Sequence, residues 1–471
     1  MTRHFAPDLC VIGAGSGGLA VAAGAAQMGA EVVLIERGTM GGDCLNYGCV
    51  PSKSLLAAAR VANMWRRSAE LGIFYMRPRV DFAAVADSVQ RVIAEIAPND
   101  SVERFERLGV RVLHAEARFT GPQTVRAGDA EIRPRRFVVA TGSQPAIPPI
   151  RGLQDVPYLT NETVFANRQL PEHLIVIGGG PIGIEMAQAH CRLGSRVTVL
   201  DIGPLLPRDD SELSDLLAER LSSEGIVCRP GVEIARIGRT EAEIVVRLAD
   251  GEQVTGSHLL VAAGRRPTVA PLDLAAAGIA STAQGITVDA RLRTTNRRVF
   301  AVGDVAGGPQ FTHIALYHAG IVIRNALFHL PAKVDYRALP WVTYTDPELA
   351  QVGLTERAAR AVEPAARVLR WPFAENDRAQ TERDREGMVK VVTGKSGRIL
   401  GAAILGAGAG DLILPWALAI SQNLKIGALA NLIVPYPTRG EAGKRAAGSY
   451  YTPTLFSART RRLVRLLARF G

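Results

Sequence analysis

Cys44 and Cys49 stand five positions apart in the run Gly41-Gly42-Asp43-Cys44-Leu45-Asn46-Tyr47-Gly48-Cys49-Val50-Pro51-Ser52-Lys53. Two thiols can give up an electron pair by closing to a disulfide and take one up when it opens, and how readily they do so depends on thiolate character and strain. From Pro51 to Arg60 the chain reads as a helix. Helical neighbours are i and i+4, not i and i+5. A Cys44–Cys49 bridge therefore requires a distorted first turn, which Gly41, Gly42 and Gly48 can supply. The spacing alone leaves a structural disulfide or two buried thiols open. Position at a helix start, with the cation Lys53 one turn on, favours a low-pKa, redox-active dithiol.

The elements that must hold this pair are nucleotide-binding units. Leu9-Cys10-Val11-Ile12 reads as a buried strand, followed by Gly13-Ala14-Gly15-Ser16-Gly17-Gly18, a helix to Met28 and a strand ending at Glu36. Glycines allow close approach to a pyrophosphate, the helix N-terminus faces it, and the acid reaches a ribose hydroxyl. The unit recurs as Leu174–Ile177, Gly178, Gly180, Gly183, a helix to about Leu193 and a strand ending at Asp201. A shift of 165 lays Gly13, Gly15, Gly18 and Glu36 on Gly178, Gly180, Gly183 and Asp201. One such glycine pattern is weak evidence; two in register with strand, helix and acid are strong.

A second echo supports the duplication. Val138-Val139-Ala140-Thr141-Gly142-Ser143-Gln144-Pro145 matches Leu260-Val261-Ala262-Ala263-Gly264-Arg265-Arg266-Pro267 at a shift of 122. Thr141, Gly142 and Gly264 thereby join the candidate cofactor-binding residues. The first copy carries 43 extra residues (165 minus 122), which hold the cysteine motif and a helical segment from Asp81 to Leu108. The expected class is α/β: two Rossmann-like domains related by internal duplication, plus a C-terminal α+β domain. The expected segments are 1–150, 151–270, a central 271–338 completing the first domain, and 339–471. In the last, Trp341–Tyr344, Met388–Val392 and Ile399–Ile404 read as antiparallel strands, with helices at about 410–422 and 440–447.

Bulk composition narrows the class. With 471 residues, 47% hydrophobic and 21% charged, the chain can bury large cores. Five scattered cysteines do not make a disulfide scaffold and suit a reducing compartment. The start lacks the apolar region of a signal peptide and no run approaches a membrane span, so a cytoplasmic protein is expected. The net charge of +10 suits anionic cofactors or surfaces; without a nucleic-acid motif it does not imply nucleic acid.

With these motifs in place the chain resembles, over nearly its whole length, the class I flavoprotein disulfide reductases, the family of dihydrolipoamide dehydrogenase, glutathione reductase and mercuric reductase. Gly-Gly-Asp-Cys-Leu-Asn-Tyr-Gly-Cys-Val-Pro-Ser-Lys is close to their signature, and Ala301-Val302-Gly303-Asp304-Val305 to their second flavin motif. The resemblance implies FAD in the first domain, NAD(P)H in the second, and a homodimer through the third. It implies that Asp304 holds the ribityl chain and that the helix near Thr312 faces the flavin ring. Lys53 paired with Glu185 would lie beside flavin N5. Cys49 would be the flavin-contacting thiolate, and Cys44 the interchange thiol. Asp201 would repel a 2′-phosphate, so NADH is favoured over NADPH, although Arg208 keeps NADPH open.

The sequence departs from that pattern in three places. Disulfide-reducing members carry a His-Pro-Thr-x-x-Glu element; here the run is Tyr436-Pro437-Thr438-Arg439-Gly440-Glu441, and the last histidine of the chain is His329. A phenol with an ordinary pKa of about 10 is a poor base for a thiol near 8.5. Tyrosine at this position is shared with mercuric reductases, but their C-terminal cysteine pair is missing, since no cysteine follows Cys228. The expectation is an electron transfer to a soft acceptor: a metal ion, a quinone-like compound or an unidentified disulfide. No residue is singled out as a ligand of a resident metal. Asp43 replaces the usual threonine or serine and is expected to raise the Cys44 pKa. Finally, residues 460–470 set Leu463, Val464, Leu466, Leu467 and Phe470 against Arg461, Arg462, Arg465 and Arg469. Such a helix can pack on the dimer with solvated arginines or lie on an anionic membrane.

Overall fold

A computed structural model describes residues 2–470. By contact the chain forms two compact units. One comprises the chain to Ala58 with Val80–Gly178 and Ile234–Asp335; the other comprises Ala59–Arg79, Gly179–Glu233 and the chain from Tyr336. The consecutive segments expected from the sequence are regrouped in these units, and only the boundary expected near 338 falls close to a change of unit.

The first unit is built on a five-stranded parallel sheet in the order Val299–Ala301, Arg136–Val139, Leu9–Ile12, Val32–Glu36, Val110–His114. Leu9–Ile12 is apolar without alternation because a parallel strand is covered on both faces. Helices Ser16–Gln27 and Thr312–Ala326 share one core with Leu9, Val11, Leu34 and Val138. Cys10, Ile12, Val33 and Phe137 face a second core with Phe119 and Val125. The two helices meet at glycine: a Cβ on Gly24 would stand 2.7 Å from Ile323 Cδ1. Overpacking there costs about 1–3 kcal/mol.

The repeat is written into the backbone. Gly13 and Gly178 both take positive φ, +104° and +117°, and a Cβ on them would stand 2.5 Å from Ala140 O and 2.3 Å from Ala262 O. Leu9 aligns with Arg136 and Leu174 with His258, keeping the shifts of 165 and 122. The strand His173–Ile177 lies parallel to His258–Val261 in the first unit.

In the second unit, strand Arg196–Leu200 lies parallel to Val227–Arg229. Its larger sheet is five-stranded and antiparallel, in the order Pro340–Thr343, Glu348–Gly353, Ile399–Gly406, Met388–Thr393, Arg367–Pro372. Central Ile399–Gly406 is buried throughout, under Trp416 and Ile420. The helix expected over 410–422 is two, Ala409–Leu412 and Leu414–Ser421, and the next runs Gly440–Ser449. Pro415 sits in a first turn, where its missing N–H costs nothing.

Candidate active site

The two thiols are brought together by a break between helices rather than by a distorted turn within one. Cys44 lies in the short helix Gly42–Asn46; Tyr47 and Gly48 interrupt it, and Cys49 opens the helix Cys49–Asn63, two residues before the expected Pro51. Both cysteines are reduced, Cys44 half-buried and Cys49 exposed. Each is the largest influence on the acidity of the other. Thr312 Oγ1, on the first residue of helix Thr312–Ala326, lies 3.4 Å from Cys49 Sγ. Two helix N-termini thus meet at one sulfur, and both favour negative charge there.

The thiol pair is electrically asymmetric. The hydrogen bond from Cys44, then Thr312 and the charge of Lys53, pull Cys49 down to about 6, against burial and Asp43. The bond to Cys49, and then burial, push Cys44 well above the ordinary thiol range. The pair's proton is therefore held more tightly by Cys44 than by Cys49. Cys44 is raised as expected, but by Cys49 and burial; the field of Asp43 falls on Cys49 instead.

Asp43 is tied into the rest of the unit. Asn161 Nδ2 donates to its Oδ1 at 2.9 Å, and a guanidinium nitrogen of Arg265 lies 3.1 Å from the same atom. Arg265 Nε donates to Ser143 Oγ at 2.7 Å, and Ser143 Oγ donates to Asp304 Oδ2 at 2.5 Å. Burial holds the Asp304 carboxyl above its usual range, against Ser143 and Arg265. Behind it, Gly303 N donates to His318 Nδ1 at 3.1 Å; His318 is buried and pulled down to about 4, so it is neutral. Ser143, Asn161, Arg265 and His318 were not among the site residues expected from the sequence. The echo quoted above contained the signal for two of them, since Ser143 plus 122 is Arg265. The echoing segments 143–145 and 265–267 pair as antiparallel strands.

The glycine turns keep space in front of their helices. A Cβ on Gly15 would find only Gly42 Cα, at 4.0 Å, and one on Gly180 would find nothing within 4 Å. Gly18 is the opposite case: its Cβ would lie 1.9 Å from Gly13 O. Glu36 accepts from Ala14 N at 2.6 Å and Gly38 N at 2.7 Å; Asp201 accepts from Gly179 N at 2.5 Å and Gly203 N at 2.7 Å. Each acid therefore braces its own turn, at positions again 165 apart. Thr141 Oγ1 donates to Thr268 O at 2.7 Å, while Gly142 and Gly264 take positive φ, +63° and +113°, with no atom within 4 Å of their missing Cβ.

The remaining candidates lie elsewhere. Lys53 is on helix Cys49–Asn63 in the first unit. Glu185 is buried on helix Pro181–Leu193 in the second, accepting from Tyr344 N at 2.9 Å. Tyr436 is exposed, its hydroxyl donating to Asp377 Oδ2 at 2.8 Å, and that carboxylate raises its pKa. Glu441 accepts from Arg445 at 2.9 and 3.1 Å. Tyr436 and Glu441 hence have different partners.

A family model for pyridine nucleotide-disulphide oxidoreductases matches residues 7–319, and one for the dimerisation domain of such enzymes matches 339–447. The chain belongs to the pyridine nucleotide-disulphide oxidoreductase family. It is 37% identical over 461 residues to mercuric reductase from Streptomyces lividans, covering 96% of this chain and 97% of that one. Dihydrolipoyl dehydrogenase from Halobacterium salinarum is 35% identical, covering 93% and 95%. Among solved structures, a Cu(II) complex of the HOCl-induced flavoprotein disulfide reductase RclA from Escherichia coli superposes with a TM-score of 0.85 at 29% identity, covering 93% and 98%. LpdA from Mycobacterium tuberculosis gives 0.86 at 27%, covering 95% and 99%.

As a member of this family the chain is an FAD-dependent oxidoreductase working with NAD(P)H, with nucleotide-binding domains and a C-terminal domain that supports a homodimer. The residues present fit FAD: open space at Gly15 before a helix N-terminus suits a pyrophosphate, and Asp304 and Thr312 lie in the unit that holds the thiols.

Proposed function

We propose that this oxidoreductase passes two electrons from NADH to the Cys44–Cys49 pair and on to a soft acceptor, a thiophilic metal ion foremost, within a class that includes quinone-like compounds and an unidentified disulfide. FAD, when bound, supplies the two-electron relay between nicotinamide and disulfide. Gly13, Gly15, Gly18, Glu36, Thr141, Gly142, Asp304 and Thr312 would hold it, and Lys53 with Glu185 would stand beside its ring. Gly178, Gly180, Gly183, Asp201 and Gly264 would hold the nicotinamide nucleotide. Asp201 favours NADH, because a carboxylate repels a 2′-phosphate.

What carries the reading is the placement of Cys49 at a helix start 3.4 Å from Thr312 Oγ1, drawn down as an acid while Cys44 is pushed up, combined with a tyrosine bonded to Asp377 where disulfide reductases place a base. A disulfide acceptor needs a proton for its leaving thiolate; a metal ion needs none. Two Cu(II) ions take one electron each, the two sulfurs close to a disulfide, and the thiol proton leaves to solvent. Mercuric reductases and the Cu(II) complex of RclA among the relatives point the same way.

The test is anaerobic NADH oxidation with Cu(II), Hg(II), a quinone and lipoamide. Metal-dependent turnover well above that with lipoamide is expected. Robust lipoamide turnover would instead make the protein a dihydrolipoamide dehydrogenase. A further reading, a membrane-docked redox partner or sensor, draws support from the exposed tail helix and predicts no turnover with any small oxidant.

A further inference from the structure

The electron-transfer site leaves the C-terminal helix without a task. Helix Ala458–Leu467 is capped by Ser457, whose Oγ accepts from Thr460 N at 3.1 Å. It lies past residue 447, where the dimerisation-domain match ends. Leu463, Val464, Leu466 and Leu467 are 53, 60, 50 and 57% exposed, and Phe470 just beyond is 82% exposed. At 100° per residue these five share one broad face, while Arg461, Arg462, Arg465 and Arg469 gather within an arc of roughly 100° opposite. Charge is equally one-sided. Residues 442–471 contain seven Lys or Arg and no Asp or Glu, so they supply 7 of the net +10.

An apolar stripe in water costs free energy until something covers it. The dimerisation-domain match ends before this helix, and a second tail packed on it would carry the same cationic charge, whereas an anionic cover is complementary to it. A bilayer with anionic headgroups satisfies both faces: leucines and phenylalanine enter the acyl boundary, and guanidinium groups meet phosphate. No helix among the described residues is long and apolar enough to cross a membrane, so the contact is peripheral. We propose that helix Ala458–Leu467, with Arg469 and Phe470, docks this enzyme on the surface of anionic lipid bilayers.

The experiment is co-sedimentation of the full-length holoenzyme with vesicles of phosphatidylcholine alone or mixed with phosphatidylglycerol. Two variants accompany it: Arg461→Gln/Arg462→Gln/Arg465→Gln/Arg469→Gln, and Leu463→Ser/Leu467→Ser/Phe470→Ser. All seven side chains lie outside the electron-transfer site, so NADH-driven flavin reduction is the folding control. Each arginine near an acidic surface is worth about fivefold in partitioning. The wild type should bind anionic vesicles, and the arginine variant should lose at least about 100-fold in partition coefficient. The serine variant should also lose binding, without change of oligomeric mass. Equal partitioning of wild type and variants, or equal binding to neutral vesicles, overturns the proposal. So does a serine variant whose oligomeric mass falls, which would assign the stripe to a second copy.

Discussion

The guanidinium of Arg265 lies 3.1 Å from the carboxylate of Asp43, the residue immediately before Cys44. This contact links the dithiol loop to Ser143 and Asp304, because Arg265 also donates to Ser143. Asp43 raises the pKa of Cys49. Asp43→Asn should remove that effect and leave the cation of Arg265 countered less, by Asp304 at 3.8 Å. The pH midpoint for alkylation of Cys49 should then move below about 6, and a midpoint that rises would show the field reading to be wrong.

The two cysteines should respond oppositely to removal. The hydrogen bond from Cys44 is the largest influence lowering Cys49. Cys44→Ala should therefore raise the Cys49 midpoint above about 6, while keeping a thiolate–flavin band at alkaline pH. Cys49→Ser should abolish the band at every pH. Absorbance titration of the FAD-loaded protein checks both, and the reverse pattern would exchange the two roles.

Tyr436 offers a gain-of-function test. Its phenol donates to Asp377, whose charge raises the tyrosine pKa further from neutrality. A general base near pH 7 contributes typically 10²–10⁴-fold. Tyr436→His should raise NADH–lipoamide turnover by about tenfold or more, while Tyr436→Phe leaves it low. If wild type and the histidine variant turn over lipoamide equally, the position is not the missing base.

The sequence made some of this legible and hid the rest for physical reasons. The parallel strands, glycine turns and duplicated acids are local patterns, and their shift of 165 survives in the hydrogen bonds of Glu36 and Asp201. The sequence puts the start of the cysteine helix two residues late because Pro51 is a conventional helix opener, whereas the break at Tyr47 and Gly48 depends on the loop that Asn161 holds. Strands Glu348–Gly353 and Arg367–Pro372 carry no local signature: the first is almost wholly buried and lacks alternation, and the second mixes arginines with apolar residues. The Asp43–Arg265–Ser143–Asp304 chain joins residues more than 100 positions apart, which no periodicity reports.

A last prediction concerns stability in the second unit. Asp209 is 7% exposed and accepts from Trp341 Nε1 at 2.8 Å. Burial pushes its carboxyl up to about 6 from an ordinary 3.8, with the Trp341 bond and Arg208 acting against. A carboxyl raised on folding stabilises the native state fully below its unfolded value, and that contribution is lost as pH climbs through the folded one. The window here is pH 3.8 to about 6, a span of 6 − 3.8 = 2.2 units, or at most about 3 kcal/mol. Asparagine carries no charge, and its carbonyl can still accept from Trp341. Asp209→Asn should therefore stabilise the protein by about 1–3 kcal/mol at pH 7.5 and by little at pH 4, read from urea midpoints. Equal effects at the two pH values would mean that the native carboxyl is not raised, and that the Trp341 bond rather than burial sets its charge.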